Sequence, residues 1–182
     1  MIFADSAAGD CHLHTEYSDG LYTPEGLVGA ALEKRLSVIA VTDHDSMDGV
    51  GPVREAARDR ELQIIAGVEF STPTTDTAQE EIHIVGLFLD EASPELNAAL
   101  ESYRAKRVER VHYMVEKLNK IGIRLRPAEV LQLAGKGNVG RLHLARALVV
   151  VLETAGIPVL VVRAPALPVR VRHDHARPFE AL

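Results

Sequence analysis

Ser37-Val38-Ile39-Ala40-Val41-Thr42, followed at once by Asp43-His44-Asp45, is the stretch that decides the fold. A short run rich in β-branched residues and bounded by polar positions reads as a buried strand of a parallel sheet. Upstream, Asp10 to His14 predicts another strand, which runs into the turn Tyr17-Ser18-Asp19-Gly20. Between the two, Thr23 is a candidate N-cap with Pro24 at the first helical position and Glu25 near the positive helix end. Leu27, Ala30, Ala31 and Leu32 supply that helix with an inward stripe. Downstream, Val53 to Leu62 predicts a short helix, Gln63 to Phe70 a strand ending near Glu69, and Ile82 to Leu89 a further strand. Strands alternating with helices in this order predict a parallel α/β sheet or barrel.

From Ser93 the texture changes. Leu100, Tyr103, Val111, Met114, Leu118 and Ile121 recur at helical spacing until Gly122. Two more helices are predicted, from Pro127 to Ala134 and from Leu142 to Leu152. The basic residues Arg104, Lys106, Arg107 and Arg110 read as a solvated helix face, with a local edge for an RNA backbone as the alternative. His112, in the same helix, reads as a surface or packing residue. From about Val150 the chain turns rich in Val, Pro and Arg and does not continue the same architecture. The expected division is therefore 1–90, 91–149 and an atypical tail at 150–182.

The 182 residues suffice for one domain with a core, and 47% apolar with 25% charged residues is ordinary globular composition. A net charge of -6 supplies no global basic field, so no stable nucleic-acid complex is expected. Cys11 stands alone, which excludes an intrachain disulfide and a cysteine-cluster zinc site and fits a reducing compartment. Its alternation away from His12 and His14 predicts a buried apolar role. The N-terminus lacks the pattern of a secretory signal, and the longest apolar stretch is interrupted by Arg146, Glu153, Gly156 and Pro158. A cytoplasmic location with no membrane partner is the expectation.

The eight histidines must carry most metal or acid-base chemistry. His12 and His14 alternate on a strand, so both face one side and can reach one ion. Asp19 lies in the turn that follows, His44 beyond the next strand and Glu69 at the end of the third. In a parallel barrel these strand ends converge on one face. His83 opens the fourth strand and so falls at the opposite end of a parallel arrangement. Asp43 is either an orienting partner for an imidazole or a turn-forming Asp.

The segments Asp10-Cys11-His12-Leu13-His14-Thr15, Ser18-Asp19-Gly20, Thr23-Pro24-Glu25, Thr42-Asp43-His44-Asp45, Ala66-Gly67-Val68-Glu69 and Ile82-His83-Ile84-Val85-Gly86 together resemble the polymerase and histidinol phosphatase (PHP) family of metal-dependent phosphoesterases. Gly140-Arg141-Leu142-His143 is similar to a Gly-Arg-Pro-His segment of one branch, the 3',5'-nucleotide bisphosphate phosphatases and 5'-3' exoribonucleases. The resemblance implies an α/β fold, a distorted (β/α)7 barrel with a helical insertion, here incomplete.

It also implies His12, His14, Asp19, His44, Glu69 and His83 as ligands of two or three divalent ions, with Asp19, His44 and Glu69 at the catalytic centre. Manganese heads the candidates, with iron or zinc as alternatives. Arg141 and His143 match positions that hold substrate phosphate, although a solvated helix-end arginine is the plain alternative for Arg141. The implied substrate is a small phosphorylated nucleotide or short RNA, hydrolysed through a metal-activated water. Members of the branch add a later His-Pro histidine and an Asp-x-His pair, which His173-Asp174-His175 does not match. The expectation is thus a truncated or frame-shifted form diverging near Val150. A catalytically impaired metal- or phosphate-binding remnant and a histidinol-phosphate phosphatase are the competing readings, and oligomeric state stays open.

Overall fold

The computed structural model describes residues 8–72 and 82–157. Four strands, β1 (Ala8–Leu13), β2 (Leu36–Val41), β3 (Gln63–Thr72) and β4 (Ile82–Leu87), form one sheet in the order β1-β2-β3-β4. β1, β2 and β3 are parallel, as their alternation with α1 (Pro24–Glu33) and α2 (Val50–Ala56) requires. β4 departs from the parallel expectation: it pairs antiparallel with β3, placing Ser71 opposite His83 and Glu69 opposite Val85. The physical reason is the connection, since no described helix crosses over between β3 and β4.

Local chemistry explains the helix starts. The Thr23 hydroxyl accepts from Gly26 N at 3.2 Å at the head of α1, and Ser93 does the same for Leu96 N at the head of α3 (Pro94–Lys120). Both helices carry Pro in the first turn, where a missing N–H costs nothing. α2 begins before the predicted Val53 and stops well before Leu62, because Pro52 is also tolerated in a first turn and the charged run Asp59-Arg60-Glu61 stays in solvent.

Two apolar cores result. The first packs α1 and α2 on the sheet around Ile39, Val41, Val50, Val53 and Val68, each worth about 1.5–3 kcal/mol when fully removed from water. The second joins the far half of α3, through Val111 and Val115, to α4 (Pro127–Ala134) and α5 (Arg141–Thr154). α3 therefore spans both cores, with Leu100 in the first and Val111 in the second.

Cys11 is exposed, against the expectation of burial: α1 and α2 pack on β2 and β3, and β1 lies at the rim. α5 runs through Val150 to Thr154, past the expected change of texture, and the rest of the tail, including His173-Asp174-His175, lies outside the described residues. No described helix is long and apolar enough to cross a membrane.

Candidate metal centre

The parallel strands deliver His12 from β1, His14 just beyond it, His44 after β2 and Glu69 from β3 to one end of the sheet. His44 and Glu69 meet there in an isolated parallel bridge. The reversal of β4 brings His83 to the same end. Ser71 opposes His83 across the ladder and shares a strand face with Glu69, so all three side chains face one way.

Glu69 is the hub of the cluster. Its Oε2 lies 2.7 Å from His12 Nε2 and 2.9 Å from His14 Nε2, while its Oε1 lies 2.7 Å from His83 Nδ1. The two Nε2 atoms of His12 and His14 are themselves 3.2 Å apart. Asp19, carried by the turn after β1, reaches His14 Nδ1 and His44 Nε2, each at 3.6 Å. Three groups of donors with metal-like convergence follow: His12, His14 and Glu69; His14, Asp19 and His44; His44, Glu69 and His83. All six residues named from the sequence as ligands fall within these overlapping groups.

The electrostatics follow from this crowding. Polar contact with the His44 imidazole pushes the Asp19 carboxyl down to about 2, against the opposing effect of burial. Burial also works against ionisation of Glu69, yet the hydrogen bond from His12 and the neighbouring His44 and His83 outweigh it and hold its pKa below the ordinary carboxylate range. Burial, helped by His44, lowers the pKa of His14 and favours its neutral form. Ionised carboxylates and neutral imidazoles are the forms that bind a cation.

The donor set fits divalent ions on a further observation. His44 Nδ1 is buried with no hydrogen-bond partner among the described residues, and lies 3.7 Å from Glu69 Oε2. A buried polar atom left unpaired is costly. A cation between these donors would satisfy it.

Asp43 takes the second of its two sequence readings. It is fully buried and its carboxylate accepts from Thr15 N at 2.7 Å, Thr15 Oγ1 at 2.6 Å and Ser18 Oγ at 2.6 Å, tying down the loop that carries Asp19. Gly20 closes the same turn, where a Cβ would overlap the His14 carbonyl.

A cavity of about 150 Å³ opens beside the cluster, walled by Asp19, His44, Ser71, His83, Arg107, Arg110 and Arg141. Arg141 is exposed at the start of α5. His143 is 2% exposed and does not line the cavity; its Nδ1 accepts from Gly140 N at 3.0 Å, which puts its proton on Nε2. Arg107 corrects the expected solvated face. It is 6% exposed, with Nε 2.6 Å from Asp45 Oδ2 and Nη2 2.6 Å from Ser71 Oγ. The signal was present in the sequence: Arg107 stands seven residues after Leu100 and four before Val111, on the apolar stripe of α3, where a cation requires a buried anion.

The chain is similar to several known proteins. The chain is 41% identical over 142 residues to the 5'-3' exoribonuclease Rnm of Salmonella typhimurium, which covers 77% of this chain and 47% of that protein. It is 37% identical over 114 residues to the 3',5'-nucleoside bisphosphate phosphatase of Chromobacterium violaceum, covering 63% of this chain and 39% of the relative. The chain thus spans about half the length of the curated relatives it matches, or less. Among solved structures, an amidohydrolase from Chromobacterium violaceum with bound sulfate superposes with a TM-score of 0.71 at 32% identity, over 83% of this chain and 51% of that one. A Bifidobacterium adolescentis protein assigned as a metal-dependent phosphoesterase gives 0.70 at 29% identity, over 80% and 51%. The four-stranded sheet is accordingly an incomplete distorted barrel. The model of the PHP domain matches residues 10–134, and the chain belongs to the PHP family.

Proposed function

We propose that this chain is a metal-dependent phosphoesterase acting on phosphate esters of nucleotides or short RNA, of the 3',5'-bisphosphonucleotide phosphatase or 5'-3' exonuclease type. The observation that carries the proposal is the sharing of Glu69: one carboxylate within 2.9 Å of three imidazoles, two from the end of β1 and one from β4, is a bridging arrangement for more than one cation. His12, His14, Asp19, His44, Glu69 and His83 would hold two or three divalent ions, manganese first, with iron or zinc compatible with the same mixed nitrogen and oxygen donors. Such ions, when bound, polarise a phosphate ester and activate water for attack on it.

The chain's own residues prepare the rest. Asp19, His44 and Glu69 form the catalytic wall, with both carboxylates held ionised far below neutral pH. Arg141, at the first position of α5, faces the cavity shared with Asp19 and His44, where its planar fork suits phosphate oxygens. His143 supports the substrate side by holding the Gly140 turn that presents Arg141. The exoribonuclease and bisphosphate phosphatase names of the relatives support the nucleotide substrate class.

The test is metal content by elemental analysis after gel filtration, with phosphate release from a 3',5'-bisphosphonucleotide, in the wild type and in His14→Ala. Two or more ions per chain and phosphate release, both lost in the variant, are expected. Ions bound without any turnover would instead favour the impaired remnant, and a metal-free wild type would end the proposal.

A further inference from the structure

Asp45 is buried with a left-handed backbone, φ 50°, an uncommon conformation for a residue with a side chain. Every polar group it carries is used. Its N–H donates to Glu69 O at 3.0 Å, and its Oδ1 accepts from Ser71 N at 2.8 Å. Its Oδ2 accepts from Arg107 Nε at 2.6 Å, and its carbonyl accepts from Asn138 Nδ2 at 2.8 Å. Asn138 Nδ2 also reaches His44 O at 2.9 Å. Arg107 closes the ring by donating to Ser71 Oγ at 2.6 Å and to Val139 O at 3.3 Å.

This network joins three parts of the chain. Asp45 directly follows His44, Ser71 lies two residues beyond Glu69, and Arg107 and Asn138 come from the helical segment. The ring of His44 needs such support. A metal-binding histidine is ordinarily oriented by a hydrogen bond to its second nitrogen. Here Nδ1 and Nε2 of His44 face Glu69 and Asp19, other members of the same cluster, at 3.7 and 3.6 Å. The ring therefore depends on the backbone that carries it.

We infer that Arg107, acting through Asp45, is a positioning residue that sets His44 and Glu69 at the separation the metal centre requires. The inference rests on the metal-centre reading above for its consequence, but its geometric claim stands on the metal-free chain. Burial explains why an arginine does this: α3 passes from one apolar core to the other at Arg107, and a planar cation there can bond Asp45 and Ser71 at once.

The experiment compares the wild-type chain with Arg107→Lys, Asp45→Asn and the double variant, each checked for folding by circular dichroism. Manganese affinity is read by isothermal titration, and amide hydrogen exchange is read in the metal-free protein. Folded single variants should bind manganese about 10–100-fold more weakly, the range usual for partners that orient metal ligands. The double variant should be little worse than either single one, because both break the same contact. Exchange should quicken at Asp45 and Ser71 while Ile39 to Val41 stay protected. Folded variants with wild-type affinity and unchanged exchange would overturn the inference. A wild type that binds no manganese would sink the phosphoesterase proposal instead, and exchange alone would then decide for or against the positioning role. If Arg107→Lys fails to fold, Asp45→Asn, which keeps the shape of the side chain, decides it by the same readings.

Discussion

His83 Nδ1 lies 2.7 Å from Glu69 Oε1 although the two residues come from neighbouring strands that run in opposite directions. An all-parallel sheet would have carried His83 to the far end of the barrel. Reversal of a single strand converts the first residues of β4 into neighbours of the last residues of β3, and the donor cluster gains its third imidazole around Glu69.

Because Glu69 touches His12, His14 and His83, removing its charge should disperse the whole centre. Manganese at about 100 times its dissociation constant is expected to stabilise the wild type by about 2.7 kcal/mol, and chelation should reverse this. Glu69→Gln should lose most of the gain. Thermal melts with and without EDTA check this, and a wild-type Tm indifferent to manganese would contradict it.

Asp43 accepts three hydrogen bonds in a site closed to water. Asp43→Ala leaves Thr15 N, Thr15 Oγ1 and Ser18 Oγ without that acceptor, and a loss of about 3 kcal/mol in unfolding free energy is expected. Urea unfolding measures it directly. A loss below about 1 kcal/mol would mean that water replaces the carboxylate at little cost.

At Gly20 the constraint is steric, since any Cβ there would run into the His14 backbone. Gly20→Ala should cost about 1–3 kcal/mol, as overpacking does elsewhere, and should weaken manganese binding because His14 is displaced. Unfolding and metal titration of the same preparation separate the two effects. Wild-type values in both would show that the turn relaxes freely.

His143 supplies a pH dependence. Burial, with Arg146 nearby, lowers its pKa from the ordinary 6.5. As pH falls through about 6.5, the unfolded chain takes up a proton that the folded chain resists, so stability is lost with acidification until the folded pKa is passed. In His143→Asn a side-chain oxygen can accept from Gly140 N without titrating. The fall in unfolding free energy between pH 7.5 and pH 5.5 should therefore be smaller in the variant, and equal falls would remove His143 as the cause.

Much of this is legible in the sequence alone. Thr23-Pro24 marks a helix start because capping depends on three or four adjacent residues, and the Ser37 to Thr42 run marks a buried strand because composition alone separates it from an exposed one. His12-x-His14 declares its shared face by alternation. Arg107 is only half legible: its spacing from Leu100 and Val111 puts it on the apolar stripe, but among Arg104, Lys106 and Arg110 it looks like one more surface cation, and its partner is an aspartate 62 residues away. Cys11 was misjudged because alternation gives a side chain's face and not what covers that face.

The order of strands and helices, the residues able to bind cations and the polar turn at Asp19 were thus determined by the sequence itself, since each depends on near neighbours along the chain. The direction of β4, the pairing of buried Arg107 with Asp45 and the convergence of four imidazoles on Glu69 and Asp19 were decided only by the tertiary structure. Strand pairing and desolvation are long-range events, and the free energy of a charge depends on what is packed around it rather than on the residues beside it in sequence.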